Sequence, residues 1–104
     1  METTEVLSKM RDIVHTVLPN AKVILFGSRA NNTAHDESDW DLLVLHKTSI
    51  DYRLKSAVRD ALFPLSLEML SLIHSVVVNE NEWQNNPGWY SLKLSISSNP
   101  VIEA

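Results

Sequence analysis

Hydrophobic and polar positions recur along the chain with two different periods, and the switches between them mark the elements. From about Thr3 to Leu18, the residues Val6, Met10, Ile13, Val14 and Val17 fall at helical spacing, which predicts an amphipathic helix. Thr3 or Thr4 is the expected cap, Pro19-Asn20 the expected stop, and Lys9, Arg11, Asp12 and His15 the solvated face. Lys22 to Phe26 is a short β-branched run that reads as a buried strand, halted by Gly27-Ser28. Arg29 to about Thr33 predicts a short helix or turn, and Ala34 to Ser38 a polar loop. Asp39 to His46 predicts a second strand, and its unbroken Leu42-Leu43-Val44-Leu45 suggests burial on both faces.

The second half is read in the same way. Ile50, Leu54, Ala57, Val58, Ala61 and Leu62 predict a helix from Ser49, its N-cap, to about Phe63, with Pro64 as the punctuation. Leu65 to His74 predicts a third strand, carrying Glu68 in an apolar context, with Ser75 to Val78 extending it or turning away. Asn79 to Asn85 is polar and contains Trp83. Asn86-Pro87 then opens a last helix through Ser97, ended by Asn99-Pro100, and Val101-Ile102 is too short to assign. There is no internal repeat, linker or low-complexity segment. The expectation is an α/β or α+β fold, a small sheet of at least three strands flanked by helices, over a single domain spanning 1–104.

Composition changes this picture only by exclusion. Hydrophobic residues make up 44% and charged residues 21%, an ordinary globular mix. Nine Lys and Arg against thirteen Asp and Glu give a net charge of −4, which argues against wrapping extended nucleic acid. Without Cys there is no disulfide framework and no thiolate zinc site. No apolar run nears the ~20 residues of a membrane helix and the N-terminus lacks a signal-peptide core, so the expected location is cytoplasmic. Only Gly27 and Gly88 are glycines, which makes Gly27 a marked backbone position.

Candidate chemistry concentrates in one stretch, Phe26-Gly27-Ser28-Arg29-Ala30 followed by Ser38-Asp39-Trp40-Asp41-Leu42-Leu43-Val44. In a strand, Asp39 and Asp41 project to one face and Trp40 to the other. Two carboxylates so placed suit Mg²⁺, which takes carboxylate and phosphate oxygens. Taken alone, such a pair also fits a strand beginning near the surface. Gly27-Ser28 lets backbone amides approach a phosphate, which Ser28 and Arg29 can also reach. Taken alone, it also fits an ordinary strand-to-helix turn. His15, His35, His46 and His74 show no metal-ligand spacing and read as surface or structural, with His35 in the loop between the half-motifs. Trp83, Trp89 and Tyr90 read as core, or as a patch for a partner.

The combination is more specific than its halves. Strand, Gly-Ser, ten residues from Arg29 to Ser38, then Asp-x-Asp opening a strand resembles the signature of the DNA polymerase beta-like nucleotidyltransferase superfamily, and within it the minimal nucleotidyltransferase (MNT) family. The resemblance implies an ATP or other NTP substrate and two Mg²⁺ ions. It implies transfer of a nucleoside monophosphate, AMP above all, to a hydroxyl of a protein or small molecule. It assigns Gly27, Ser28 and Arg29 to nucleotide binding and Asp39 and Asp41 to metal binding and catalysis. It also requires a third carboxylate on a later strand, for which Glu68 is the candidate as metal ligand and base. Relatives usually have Asp at that position, and many have Arg-Gly where this chain has Asn31-Asn32. The family's small members often act beside a helical HEPN-type partner in toxin–antitoxin pairs. The alternative expectation is therefore an antitoxin-like binding module that neutralises such a partner by contact, its active site weak or vestigial.

Overall fold

The first helix follows its apolar stripe. In the computed structural model, which describes residues 2–31 and 39–104, α1 (Thr3–Val17) buries Val6, Leu7, Met10 and Val14. Ile13 and Val17 pack at the margin of that stripe. Its N-cap residue is Glu2 rather than Thr3 or Thr4, with no side-chain cap hydrogen bond. Asn20 takes a left-handed φ of 66°, which Asn tolerates better than most residues, and the chain reverses there. The expected loop at Ala34 to Ser38, with His35, and the expected turn beyond Asn31 lie outside the described residues.

Four strands form one mixed sheet in the order β3-β2-β1-β4. β1 (Lys22–Phe26) runs antiparallel to β2 (Trp40–His46), with Phe26 opposite Asp41. β3 (Ile73–Asn79) runs parallel to β2, with His74 opposite Asp41. β4 (Ile102–Glu103) adds two residues to the other edge of β1. Alternation along β2 divides the core. Trp40, Leu42 and Val44 join Val23, Leu25 and Val77 against α1 and α2. Leu43 and Leu45, with Ile24, Phe26, Val76 and Val78, meet Trp83, Trp89 and Ile96 on the opposite face. Layers on both faces account for the unbroken apolar run of β2.

The second half departs from expectation at Pro64. α2 spans Tyr52–Met69 with Pro64 inside it. Its N-cap is Asp51, which accepts a hydrogen bond from the Leu54 amide at 2.9 Å, and not Ser49. The apolar stripe Val58, Leu62, Leu65 and Met69 continues at helical spacing past the proline and packs into the first core. An interior proline costs about 3 kcal/mol. Burying Leu65 and part of Met69 returns a comparable amount, at about 1.5–3 kcal/mol per large apolar side chain. Pro64 and Asp60 are both exposed, so water serves the carbonyl that lost its donor. The helix stops at Leu70, left-handed with φ 54°, whose amide reaches the carbonyls of Leu67 and Ser66. The third strand therefore starts at Ile73 rather than Leu65. Pro64→Ala is expected to stabilise the protein by about 1–3 kcal/mol, read as a raised Tm; a lowered Tm would show that the helix does not run through this position.

The rest of the chain covers the second face. Asn79 caps α3 (Glu80–Asn85), accepting from the amides of Asn81 and Glu82 at 2.9 and 3.1 Å. Asn86 then opens a 3-10 turn at Pro87–Trp89, which leads into α4 (Tyr90–Ser97). The rings of Trp83 and Trp89 pack 5.8 Å apart at 47°, so these two tryptophans serve the core, while Tyr90 is exposed.

Candidate active site

The end of β1 and the start of β2 meet at one point. Beyond Phe26 the chain turns at Gly27, whose φ of 78° suits glycine. The Gly27 carbonyl accepts from the amides of Ala30 and Asn31 at 3.1 and 3.3 Å, closing one helical turn. That turn places Ser28 and Arg29 at its start, the end of a helical turn that favours anions. Because Phe26 is opposite Asp41 in the register, Gly27 lies directly against the Asp41 carboxylate. A Cβ at Gly27 would stand 2.5 Å from Asp41 Oδ2.

Asp39 precedes β2. The Trp40 amide after it donates to the Leu72 carbonyl at 2.9 Å, which fixes this end of the strand beside the start of β3. Asp39 Oδ2 and His74 Nε2 are 2.8 Å apart, both side chains about half exposed. His74 is register-paired with Asp41. Gly27, Asp39, Asp41 and His74 thus gather at one end of the sheet, on the face that carries Leu43 and Val76. Burial pushes the Asp41 carboxyl above the usual carboxylate range; His74 pulls it back and Asp39 pushes it further up.

The other expected site residues are placed as follows. Ser28 joins Phe26, Gly27 and Asn31 in lining a cleft of about 220 Å³, closed on its far side by Ser95, Ile96, Asn99 and Val101. The Arg29 guanidinium lies 4.6 Å from the centre of the Trp40 ring. Trp40 belongs to the opposite face of β2, so the structure sets Arg29 against that ring in a cation–π contact.

Glu68 corrects the expectation. It is on α2, exposed, beside Lys9, Asp12 and Ile13 in a groove between α1 and α2. That layer covers the sheet face opposite the Asp41 carboxylate. Glu68 is therefore no partner of Asp39 and Asp41, as ligand or as base. The error followed from ending the helix at Pro64, which put residues 65–72 on a strand. With β3 at its true position, the side chain beside Asp41 is His74, which spacing alone read as surface or structural. The parallel register is the signal that finds it. The other two described histidines are structural: His15 Nε2 lies 2.9 Å from the Ala21 carbonyl, and His46 Nε2 lies 2.8 Å from that of Pro19.

The fit of a divalent cation rests on this geometry. The Asp41 carboxylate fills the space that a methyl on Gly27 would take, Asp39 is near enough to push its pKa up, and carboxylate oxygens are the donors hard cations take. Among the described residues, no three His, Asp or Glu side chains close around one point as a finished cage. An ion here would take its remaining ligands from substrate, the way Mg²⁺ is ordinarily held by one or two carboxylates and phosphates.

The mixed sheet is covered on both faces and carries the Gly-Ser turn and the Asp-x-Asp strand at one end. The family model of the nucleotidyltransferase domain matches residues 7–88, and the chain belongs to that family. No curated protein matches the sequence. Among solved structures, the chain is similar to one described as a toxin–antitoxin with AMP-PNP, at 18% identity and TM-score 0.65 over 92% of this chain and 69% of that one. It is also similar to a protein of Sulfolobus solfataricus suggested to be a nucleotidyltransferase, at 25% identity and TM-score 0.50 over 77% of this chain and 69% of that one. Among the described residues, no helix is long and apolar enough to cross a membrane.

Proposed function

We propose that this nucleotidyltransferase moves AMP from ATP to a hydroxyl of a partner protein, with a divalent cation held by Asp39 and Asp41. The observation that carries the reading is the contact of Gly27 with the Asp41 carboxylate. It brings the phosphate-side turn and the acidic strand to one place, as a metal-bridged triphosphate requires. The cation would offset charge on the triphosphate and polarise its oxygens. Gly27 and Ser28 would hold the β- and γ-phosphates at the mouth of the cleft under α4. The acceptor oxygen bonds to the α-phosphorus, the bond to the β-phosphate oxygen breaks, and pyrophosphate leaves. With Glu68 removed from the role of base, the carboxylates of the site are the groups that take the hydroxyl proton. The toxin–antitoxin neighbour with AMP-PNP supports an adenine nucleotide and a partner protein. A HEPN-type helical partner, a cytoplasmic setting and one or two Mg²⁺ ions complete the proposal.

One observation favours the second reading, an antitoxin-like module acting by contact. Phe63, Leu67, Leu70 and Leu72 are exposed together at the end of α2, with Leu70 90% exposed. Leu70 also holds a left-handed backbone that costs about 1 kcal/mol relative to Gly. The two readings separate in one experiment: α-³²P-ATP, a divalent cation and the partner, with wild type and Asp39→Ala/Asp41→Ala. Label on the partner from wild type alone supports transfer. No label, with neutralisation intact in the double variant, supports contact.

A further inference from the structure

We infer that the acceptor docks as an extended acidic segment, adding a strand to the outer edge of β3 beside Lys55 and Arg59. The inference rests on the nucleotidyl-transfer reading above and names the acceptor surface of the same site. Sheet order carries the first step. Phe26 of β1 and His74 of β3 are the two register partners of Asp41, one on each side of it. An in-line displacement puts the attacking and leaving oxygens on opposite sides of the phosphorus. The leaving phosphates belong with Gly27 and Ser28, on the β1 side of Asp41, so the acceptor approaches from the β3 side. Among the described residues, β3 is the last strand on that side.

An open cleft of about 490 Å³ lies there. One wall is Tyr52, Lys55, Ser56 and Arg59, a single face of α2 at helical spacing, and the other is residues 73–76 of β3. Ile73 and Ser75 project to one face of the sheet, His74 and Val76 to the other. A cleft lined by all four follows the edge of the strand, where backbone amides and carbonyls point outward and can pair with another chain. Edges that stay unpaired are ordinarily guarded by Lys, Pro or an inward charge. Across Ile73–Asn79, β3 has no Lys, Arg, Asp, Glu or Pro. The other wall sets the charge of the occupant. Lys55 and Arg59 are exposed, and no acid lines the cleft among the described residues. Asp60 meets Arg59 at Nε, 3.4 Å away, and a guanidinium has further donors to offer. A second copy of this chain paired through β3 would set these cations against their own counterparts, so the occupant is an acidic segment of another protein.

The test is fluorescence anisotropy of a labelled peptide of alternating Thr and Glu, added to protein that holds AMP-PNP and Mn²⁺. This peptide should bind about tenfold more tightly than its counterpart with Lys in place of Glu. Lys55→Glu/Arg59→Glu should reverse that order, which a loss of structure would not do. N-methylation of one alternate set of peptide amides should weaken binding by about fivefold for each ladder hydrogen bond lost, and N-methylation of the other set much less. Amide exchange along Ile73 to Val76 should slow when the peptide binds. Equal binding of the two peptides, equal effects of the two methylated sets, or unchanged exchange along β3 overturns the inference and leaves the nucleotide site standing. So does an oligouridine RNA that binds more tightly than the acidic peptide and is lost in the double variant, or a protein that dimerises through β3. Protein that fails to bind AMP-PNP, read by calorimetry before peptide is added, overturns the inference and the nucleotidyl-transfer reading together.

Discussion

Asp41→Asn should reduce nucleotidyl transfer by about 10³-fold or more while leaving the metal-free fold as stable as wild type or more so. A cation ligand at the reacting phosphate supplies several kcal/mol of transition-state stabilisation, and each 1.36 kcal/mol is tenfold in rate. Asn keeps the shape of Asp but loses the charge that would hold the proposed cation. The stability effect has the opposite sign. Asp41 is partly buried and faces Asp39, so its pKa is raised in the fold. A raised carboxyl pKa means the ionised form is disfavoured by folding. The resulting penalty is full above the folded-state pKa and vanishes as pH falls below the unfolded value. At neutral pH the penalty is present, and Asn removes it. Thermal melts in chelator at pH 7 and near pH 3 check this: the advantage of Asp41→Asn should shrink toward the acid end. A variant that melts well below wild type at pH 7 would show that Asp41 serves the fold.

The contrast between α2 and the acidic pair shows what the sequence makes readable. β1 was legible to the residue, because Lys22 to Phe26 is bounded by a turn on one side and Gly27 on the other. β2 differs only in starting at Trp40. Both are local signals. Pro64 is a strong local signal too, but here it is outweighed by a stripe, Val58-Leu62-Leu65-Met69, whose value depends on α1 and the sheet being underneath. That dependence on tertiary packing is invisible from propensity alone. The same displacement hid two further features. α3 is six residues, five polar and Trp83, held by the Asn79 cap, and β4 is two residues whose strand character exists only because β1 has an open edge.

The site divides along the same line. Gly27, Asp39 and Asp41 were legible because the chemistry, the spacing and the alternation of a strand all act within one stretch. The structure sets Gly27 against Asp41 and leaves Asp39 near enough to Asp41 to push its pKa up. His74 was not legible, because its place beside Asp41 is set by a pairing between strands separated by an eighteen-residue helix. A one-residue change of that register would turn His74 to the other face and leave the pair without it. Arg29 illustrates the reverse case. It stands in the motif next to Ser28, yet the ring of Trp40, the residue between the two acids, sits under its guanidinium. The motif stretch is thereby tied to both faces of β2.

Gly27→Ala should separate the needs of the site from those of the fold. A left-handed φ of 78° costs a non-glycine residue about 1–2 kcal/mol. The new methyl would also stand 2.5 Å from Asp41 Oδ2, too close to coexist. What yields is the end of a flexible side chain rather than backbone, so the fold accommodates the change by moving the Asp41 carboxylate. Stability should therefore fall only by the backbone cost, about 1–2 kcal/mol. Nucleotide affinity in the presence of the cation should fall much further, by about 10–100-fold, because one of the two carboxylates proposed to hold the cation has been displaced. Calorimetric titration with AMP-PNP and Mn²⁺, alongside a denaturant melt, reads both quantities on one preparation. A loss of binding no larger than the loss of stability would place Gly27 among turn residues alone. Binding equal to wild type would remove the contact between Gly27 and Asp41 from the nucleotide site altogether.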